Sequence, residues 1–285
     1  MIIKFLAQNI KRGGHLDDNN QPEERWDKLV ERVRSEKPDF LLLCEVVGWD
    51  RDGYRDLAQA VQDFDLQAMP IAPSSNNYPT LLMYNPQTVG QWKRWNPGFA
   101  DQTVHGFGIS AFDVGLPEWL SVVPVHIGPF SAEQVLSDTG IVASRGYRYG
   151  RFAVLGGDFN TPAARDNIVE PHTEPKNFAW RYNLDGSPNR LPAQKMVQSD
   201  YIDCADYLYE KTGDSELTAE TAQGSGRIDR FYVTYPMRDA VLEYRRLYDQ
   251  AVSDHAGMVI TVDTDKVDTT YQFSIDEFRS RQHLL

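Results

Sequence analysis

Phe152-Ala153-Val154-Leu155-Gly156-Gly157-Asp158-Phe159-Asn160 is an apolar run too short for a helix, closed by a glycine pair, a carboxylate and an amide. Apolar at consecutive rather than alternate positions, it reads as a strand covered on both faces. The glycines permit close backbone approach, and continued strand geometry would turn Asp158 and Asn160 to the same side. The same grammar recurs along the chain. Ile2 to Ala7 leads to Gln8-Asn9, Phe40 to Cys44 ends in Glu45, and Trp119 to His126 ends in an imidazole. Asp229 stands just before the strand Arg230 to Thr234, and Asp254-His255 just before Gly257 to Val262. Further strands are expected at Leu81 to Tyr84 and Val241 to Leu247. A polar end to one strand is ordinary turn chemistry. A set of them at the ends of buried strands is a candidate site.

Helices alternate with these strands only in the first part of the chain. Trp26, Leu29, Val30 and Val33 fall at helical spacing, with Pro22, Glu23 and Glu24 placed as a first turn. Tyr54, Leu57, Ala58 and Val61 repeat the pattern, and strands are expected to dominate after residue 80. Ser274-Ile275-Asp276-Glu277 is a capping box and starts a short terminal helix. With 285 residues, 41% hydrophobic and 25% charged, the chain can bury a sizeable core, which excludes a disordered tail or a disulfide-stapled miniprotein. Cys44 and Cys204 are read as free thiols.

The 29 lysines and arginines against 41 aspartates and glutamates leave a formal net charge of −12. Such a chain opposes tight nonspecific binding to polyanions unless a local basic patch or a bound cation intervenes. No apolar run approaches the ~18 residues of a membrane span. Met1 to Phe5 lacks a basic segment leading into a long apolar one, so a cytoplasmic protein is expected.

Oxygen donors from several strand ends, converging at one sheet edge, are what a hard cation such as Mg²⁺ requires, and Glu45 is the strongest ligand candidate. One of Asp158 and Asn160 can act as a base while the other holds water or a phosphate oxygen. His126 and His255, near carboxylates, suit phosphate. HExxH, a Cys/His cluster, GxxxxGK[ST], GxGxxG and GxSxG are all absent from the sequence. Zinc sites of the common kinds, nucleotide-binding loops and a serine-hydrolase elbow therefore have no support.

Taken in order, Gln8-Asn9, Cys44-Glu45-Val46, Val125-His126, Gly157-Asp158-Phe159-Asn160, Arg227-Ile228-Asp229 and Ser253-Asp254-His255 resemble the endonuclease/exonuclease/phosphatase superfamily. That group includes deoxyribonuclease-I-like enzymes, abasic-site endonucleases, deadenylases, neutral sphingomyelinases and inositol-polyphosphate 5-phosphatases. The resemblance runs from residue 2 to about 262. It implies an α/β fold, a four-layered α/β sandwich of two mixed β-sheets packed face to face with helices outside, the site lying at their shared edge. It also implies that Asn9 and Glu45 hold Mg²⁺ (or Mn²⁺), with Asp254 completing the metal or water network. Asp158 and Asn160 would position and deprotonate water, His255 oriented by Asp229 would face the phosphate, and His126 would donate to it. His126 leans toward the deoxyribonuclease-I-like, sphingomyelinase and 5-phosphatase branch, whereas abasic-site endonucleases resemble one another in a tyrosine there. Cys44 departs from the glutamine common before the metal-binding glutamate. Tyr78-Pro79-Thr80 stands where several nucleases carry a further charge.

Residues 1-265 are read as one catalytic domain and 266-285 as a C-terminal extension. Between Thr161 and Pro192 a long loop is expected, with isolated aromatics Phe178, Trp180 and Tyr182. Arg165, Trp180, Arg181 and Tyr182 are its substrate-binding candidates, and Arg190 and Lys195 lie close by. Stacking on bases and pinning the loop to the domain are both open to these aromatics. The expected activity is Mg²⁺-dependent hydrolysis of a phosphodiester, with nucleic acid a candidate substrate. The alternatives are a phosphomonoesterase acting on a lipid, inositol phosphate or small metabolite, and a noncatalytic binding module.

Overall fold

The computed structural model describes residues 1–282 except 18, 20, 166–179, 223 and 225. β1 (Ile2–Asn9) and β2 (Phe40–Cys44) lie parallel and in the middle of a six-stranded sheet. Its remaining strands are β3 (Gln67–Ala68), β4 (Thr80–Tyr84), β11 (Val241–Leu247) and β12 (Gly257–Asp263), in the order β11-β12-β1-β2-β4-β3. A second six-stranded sheet joins β5 (Arg94–Asn96), β6 (Ile109–Phe112), β7 (Leu120–His126), β8 (Ala153–Asp158), β10 (Asp229–Thr234) and β9 (Tyr201–Asp203), in that order. β7 and β8 are parallel and their neighbours antiparallel, so both sheets are mixed.

Three apolar clusters mark the interfaces of four layers. Phe5, Ala7, Phe40 and Leu42 face Phe112, Val122, Val154 and Phe231 between the sheets. Leu6, Leu41 and Leu43, on the alternate positions, pack under α1 (Trp26–Glu36) and α2 (Arg55–Phe64). Val123, Val125 and Leu155 do the same in the second sheet under α4 (Ala132–Gly146) and α5 (Leu191–Gln198), α3 (Pro86–Val89) being a single turn. Both faces of the central strands are therefore covered, which is why they are apolar at every position. This is the four-layered sandwich expected. α6 (Cys204–Thr212) and α7 (Ile275–Gln282) complete the described α-helices, α7 beginning where the capping box placed it.

Some expectations need correction. α1 begins at Trp26, and Pro22 instead bridges to Leu16 while Glu23 pairs with Arg25 at 2.7 Å. That ion pair fixes Glu23 in the turn before the helix, and Glu24 likewise precedes its first residue. The region after residue 80 is less strand-dominated than expected, since α4 and α5 cover the second sheet. α4 hides its buried face from a hydrophobic pattern because Asp138, Thr139 and Gly146 share it with Val135 and Val142. Much of the loop expected from Thr161 to Pro192, with Phe178, lies outside the described residues, and its last residues already enter α5. Among the described residues no helix is long and apolar enough to cross a membrane.

Candidate active site

Strand register assembles the site. On the second sheet, His126 pairs with Asp158 across β7 and β8, and Asp158 with Asp229 across β8 and β10, so three neighbouring strands carry one row of polar side chains. On the first sheet, Asn9 pairs with Cys44, which leaves Glu45 one residue beyond it. Glu45 takes a left-handed backbone (φ 64). Its carbonyl accepts the Gly13 N–H at 2.7 Å and its Oε2 the Arg12 N–H at 3.0 Å. The two sheets close here. The Cys44 thiol donates to the Val125 carbonyl at 3.1 Å, and a Cβ on Gly157 (φ 141) would stand 2.1 Å from that oxygen.

The Asn9 amide bridges the sheets, its Nδ2 donating to Glu45 Oε1 at 3.0 Å and to Asp158 Oδ2 at 3.3 Å. His255, just before β12, directs Nδ1 at both Asp229 oxygens (3.0 and 2.9 Å) and lies 3.8 Å from Asp158 Oδ2. His126 Nε2 is 3.7 Å from that same oxygen. Asp229 is fixed in turn: Thr221 Oγ1 accepts the N–H groups of Ile228 and Asp229, and Arg227 is buried in an ion pair with Asp203 and Asp206. The Ser253 hydroxyl donates to the Asn9 carbonyl at 2.8 Å, tying the His255 turn to β1. Thr221, Arg227 and Ser253 support the row, and only the latter two lie in the motifs read from sequence.

Burial sets the charges. Asp158 is held up to about 7, first by burial and then by the Asp229 charge. Burial opposes a charge on His255, but Asp229, Asp158 and Asp254 outweigh it and raise the imidazole to about 10. His126 is pushed down to about 3 by burial and then by His255. Near neutral pH the row thus holds an imidazolium at His255, a neutral ring at His126 and a carboxyl at Asp158 close to its titration point. That is a proton acceptor beside two differently charged donors.

Asn160 and Asp254 are placed differently from the rest. Strand geometry stops at Asp158, because Asn160 turns left-handed (φ 54) and its side chain donates to the Ile127 carbonyl at 2.8 Å. Its backbone N–H fixes Asp158 Oδ1 at 2.8 Å. Asp254 is at the rim, 54% exposed and 3.9 Å from Lys11 Nζ. Arg165 pairs with Glu210 and lines a separate cavity of about 370 Å³ beside Tyr207 and Tyr235. Trp180 and Tyr182 are buried rather than presented as exposed stacking faces, and the Arg181 guanidinium covers the Trp180 ring at 4.4 Å. Burial lowers the Arg181 pKa, against a smaller upward pull from Asp158. His105 was not singled out by any sequence signal. Its ring lies on His126 with centroids 3.8 Å apart and planes 6° off parallel.

The model of the Endonuclease/Exonuclease/phosphatase family matches residues 9–255, from Asn9 to His255. The chain belongs to that family. This family member is accordingly a phosphoesterase, a hydrolase of phosphate esters. Its fold is shared with the AP endonuclease LMAP from Leishmania major (18% identity, TM-score 0.62, covering 92% of this chain and 87% of that one). An AP endonuclease from Archaeoglobus fulgidus superposes with TM-score 0.63 at 15% identity, over 92% of this chain and all (100%) of that one. D. rerio TDP2 complexed with single strand DNA product superposes with TM-score 0.60 at 12% identity, over 92% and 99% of the two chains. No curated protein sequence matches the chain.

Proposed function

We propose that this family member hydrolyses a phosphodiester, with nucleic acid as the substrate class to test first, assisted by a divalent cation held at Glu45 and Asn9. The row His126–Asp158–Asp229, met by Asn9 and His255 from the opposite sheet, carries this reading. The donors suit Mg²⁺ or Mn²⁺: Glu45 and Asn9 offer oxygen, Asn9 Oδ1 already accepting the Lys11 N–H at 3.0 Å, Asp254 stands at the rim, and the Cys44 thiol keeps its proton by burial. Each Glu45 oxygen accepts a hydrogen bond (from Asn9 and from the Arg12 N–H) and keeps lone-pair capacity. Asp158, Asp229 and His255 are also close enough together to ligate an ion. There the His255 imidazolium already supplies the positive charge between the carboxylates.

A bound divalent cation supplies Lewis acidity toward the phosphoryl oxygens. Asp158, with Oδ1 fixed by the Asn160 N–H, takes the proton of the attacking water, and a value of about 7 suits a base at neutral pH. His255 commits Nδ1–H to Asp229 and turns Nε2–H to the phosphate, bringing positive charge. His126 donates from a neutral ring. Two endonucleases and a protein holding a single strand DNA product among the structural neighbours support the proposed substrate class.

The test is turnover of single- and double-stranded DNA, RNA, bis-p-nitrophenyl phosphate, p-nitrophenyl phosphate, sphingomyelin and inositol phosphates, with Mg²⁺ and with chelator. Diester hydrolysis lost on chelation is expected. Turnover of monoesters alone, or full activity in chelator, would replace this reading.

A further inference from the structure

His105 lies between β5 and β6, is 3% exposed, and has no chemistry of its own in the row. Its position is nonetheless held from several sides. Asn76 Oδ1 accepts a hydrogen bond from the Ser74 hydroxyl at 3.0 Å and contacts His105 Nδ1 at 3.0 Å, so His105 carries its proton on Nδ1. Its Nε2 is buried with no hydrogen-bond partner among the described residues. Tyr78 meets the ring edge-on, with centroids 5.8 Å apart.

The backbone around it is clamped as well. The N–H groups of Val104 and Gly128 both donate to Asp138 Oδ2 at 3.4 Å, and Asp138 is fully buried on α4. The Ser75 hydroxyl donates to the Val104 carbonyl at 2.8 Å. Gly106 (φ 72) runs so close to the chain at Pro73 that a Cβ would lie 1.9 Å from that residue's oxygen. One carboxylate thus ties the segment bearing His105 to the segment that follows His126. Burying an imidazole with a bare nitrogen is unfavourable relative to an apolar side chain of similar size, because that nitrogen gives up its hydrogen bond to water and gains none. Packing alone therefore favours leucine or phenylalanine here.

His126 gains what that cost supports. It is the last residue of β7, and the final torsion of a histidine side chain has broad minima that do not hold the ring by themselves. We propose that His105 is a positioning residue: anchored by Asn76, its flat face holds the His126 ring so that Nε2 stands beside Asp158 and faces the phosphate. This rests on the reading above that His126 donates to substrate.

The variants His105→Leu, which fills the space without a flat face, and His105→Phe, which restores the face without the nitrogens, test it. With bis-p-nitrophenyl phosphate and Mg²⁺, His105→Leu should lower kcat about 10- to 100-fold with KM within about 3-fold, and His105→Phe should recover most of that loss. In a His126→Ala background the His105→Leu change should alter kcat less than about 2-fold, because the plate then has nothing to hold. An equal loss in both backgrounds, or a folded His105→Phe protein as impaired as His105→Leu, overturns the proposal. The ¹⁵N signals of the His126 ring, recorded without substrate, should change in His105→Leu and return in His105→Phe. Unchanged signals in His105→Leu overturn it even if the wild type hydrolyses no diester, an outcome that would separately reject the function proposed for His126.

Discussion

Replacing Asp229 by asparagine removes the charge that holds His255 protonated while leaving an oxygen to accept one hydrogen bond. In the native protein the His255 imidazole titrates at about 10, against an ordinary value of 6.5. Burial is the largest influence on this ring and acts downward, so without Asp229 only Asp158 and Asp254 oppose it. A ring returned to its ordinary value is only about 3% protonated at pH 8, so the charge alone is worth on the order of 30-fold in turnover there. Lost orientation brings the total toward about 10²–10⁴-fold. The assay is kcat against pH from 5 to 10 with saturating Mg²⁺, where the alkaline limb of the variant should move to lower pH. The sign of the stability effect follows from the same shift. A histidine raised on folding stabilises fully below 6.5 and loses that contribution as pH rises toward about 10. The urea midpoint of the wild type should therefore fall across that window more than that of Asp229→Asn. Mg²⁺ affinity by calorimetry should stay within a few-fold, since both Asp229 oxygens face His255 Nδ1. An unmoved alkaline limb or a collapse of metal binding would refute the assignment of Asp229 to His255.

Glu45→Gln keeps an acceptor for the Arg12 N–H and should leave the melting temperature within a few degrees. Its Mg²⁺-dependent turnover should fall by at least the about 10–100-fold seen when mere supporting groups of metal sites are removed; undiminished turnover would disqualify Glu45 as ligand. Gly157→Ala puts a Cβ 2.1 Å from the Val125 oxygen at φ 141 and should cost on the order of 3 kcal/mol, read as a lowered urea midpoint. Arg181→Gln should raise KM for a DNA duplex and reduce its salt slope by about 0.9, the contribution of one phosphate contact. The same variant should leave KM for a small diester nearly unchanged, and equal effects on both substrates would mean that Arg181 acts only through packing or Asp158.

β2, buried on both faces, is legible to the residue, as is the edge strand β11 from its apolar and aromatic residues, and the other strands of five or more residues are legible to within about two residues, whereas the four-residue β6 is fully buried yet too short to stand out. The short strands β3, β5 and β9 are not legible, because two or three residues carry no period. Asn9, Glu45, His126, Asp158, Asp229 and His255 could be picked out because each interrupts or ends an apolar run. Asn160 was legible as a residue but not as a geometry, since only the structure shows the chain turning left-handed there. His105 was invisible for a different reason. Between Val104 and Gly106 it looks like any loop histidine, and its meaning comes from a ring that the fold brings to it. Trp180 and Tyr182 sit in a stretch without sustained periodicity, so nothing local told that both are buried.

β1 has β2 on one side and β12 on the other, so the strand bearing Asn9 has one neighbour that emerges early in synthesis and another that emerges near the end of this sequence. Until residues 257–263 leave the ribosome, the β1 edge that faces β12 has no partner from its own sheet, and His255 has not yet arrived beside Asp229. A nascent chain can therefore acquire most of its second sheet while remaining chemically silent. Activity should switch on in a single late step when the last strand docks, which also makes the uncovered edge of β1 the place where a stalled chain is most exposed to pairing with another copy.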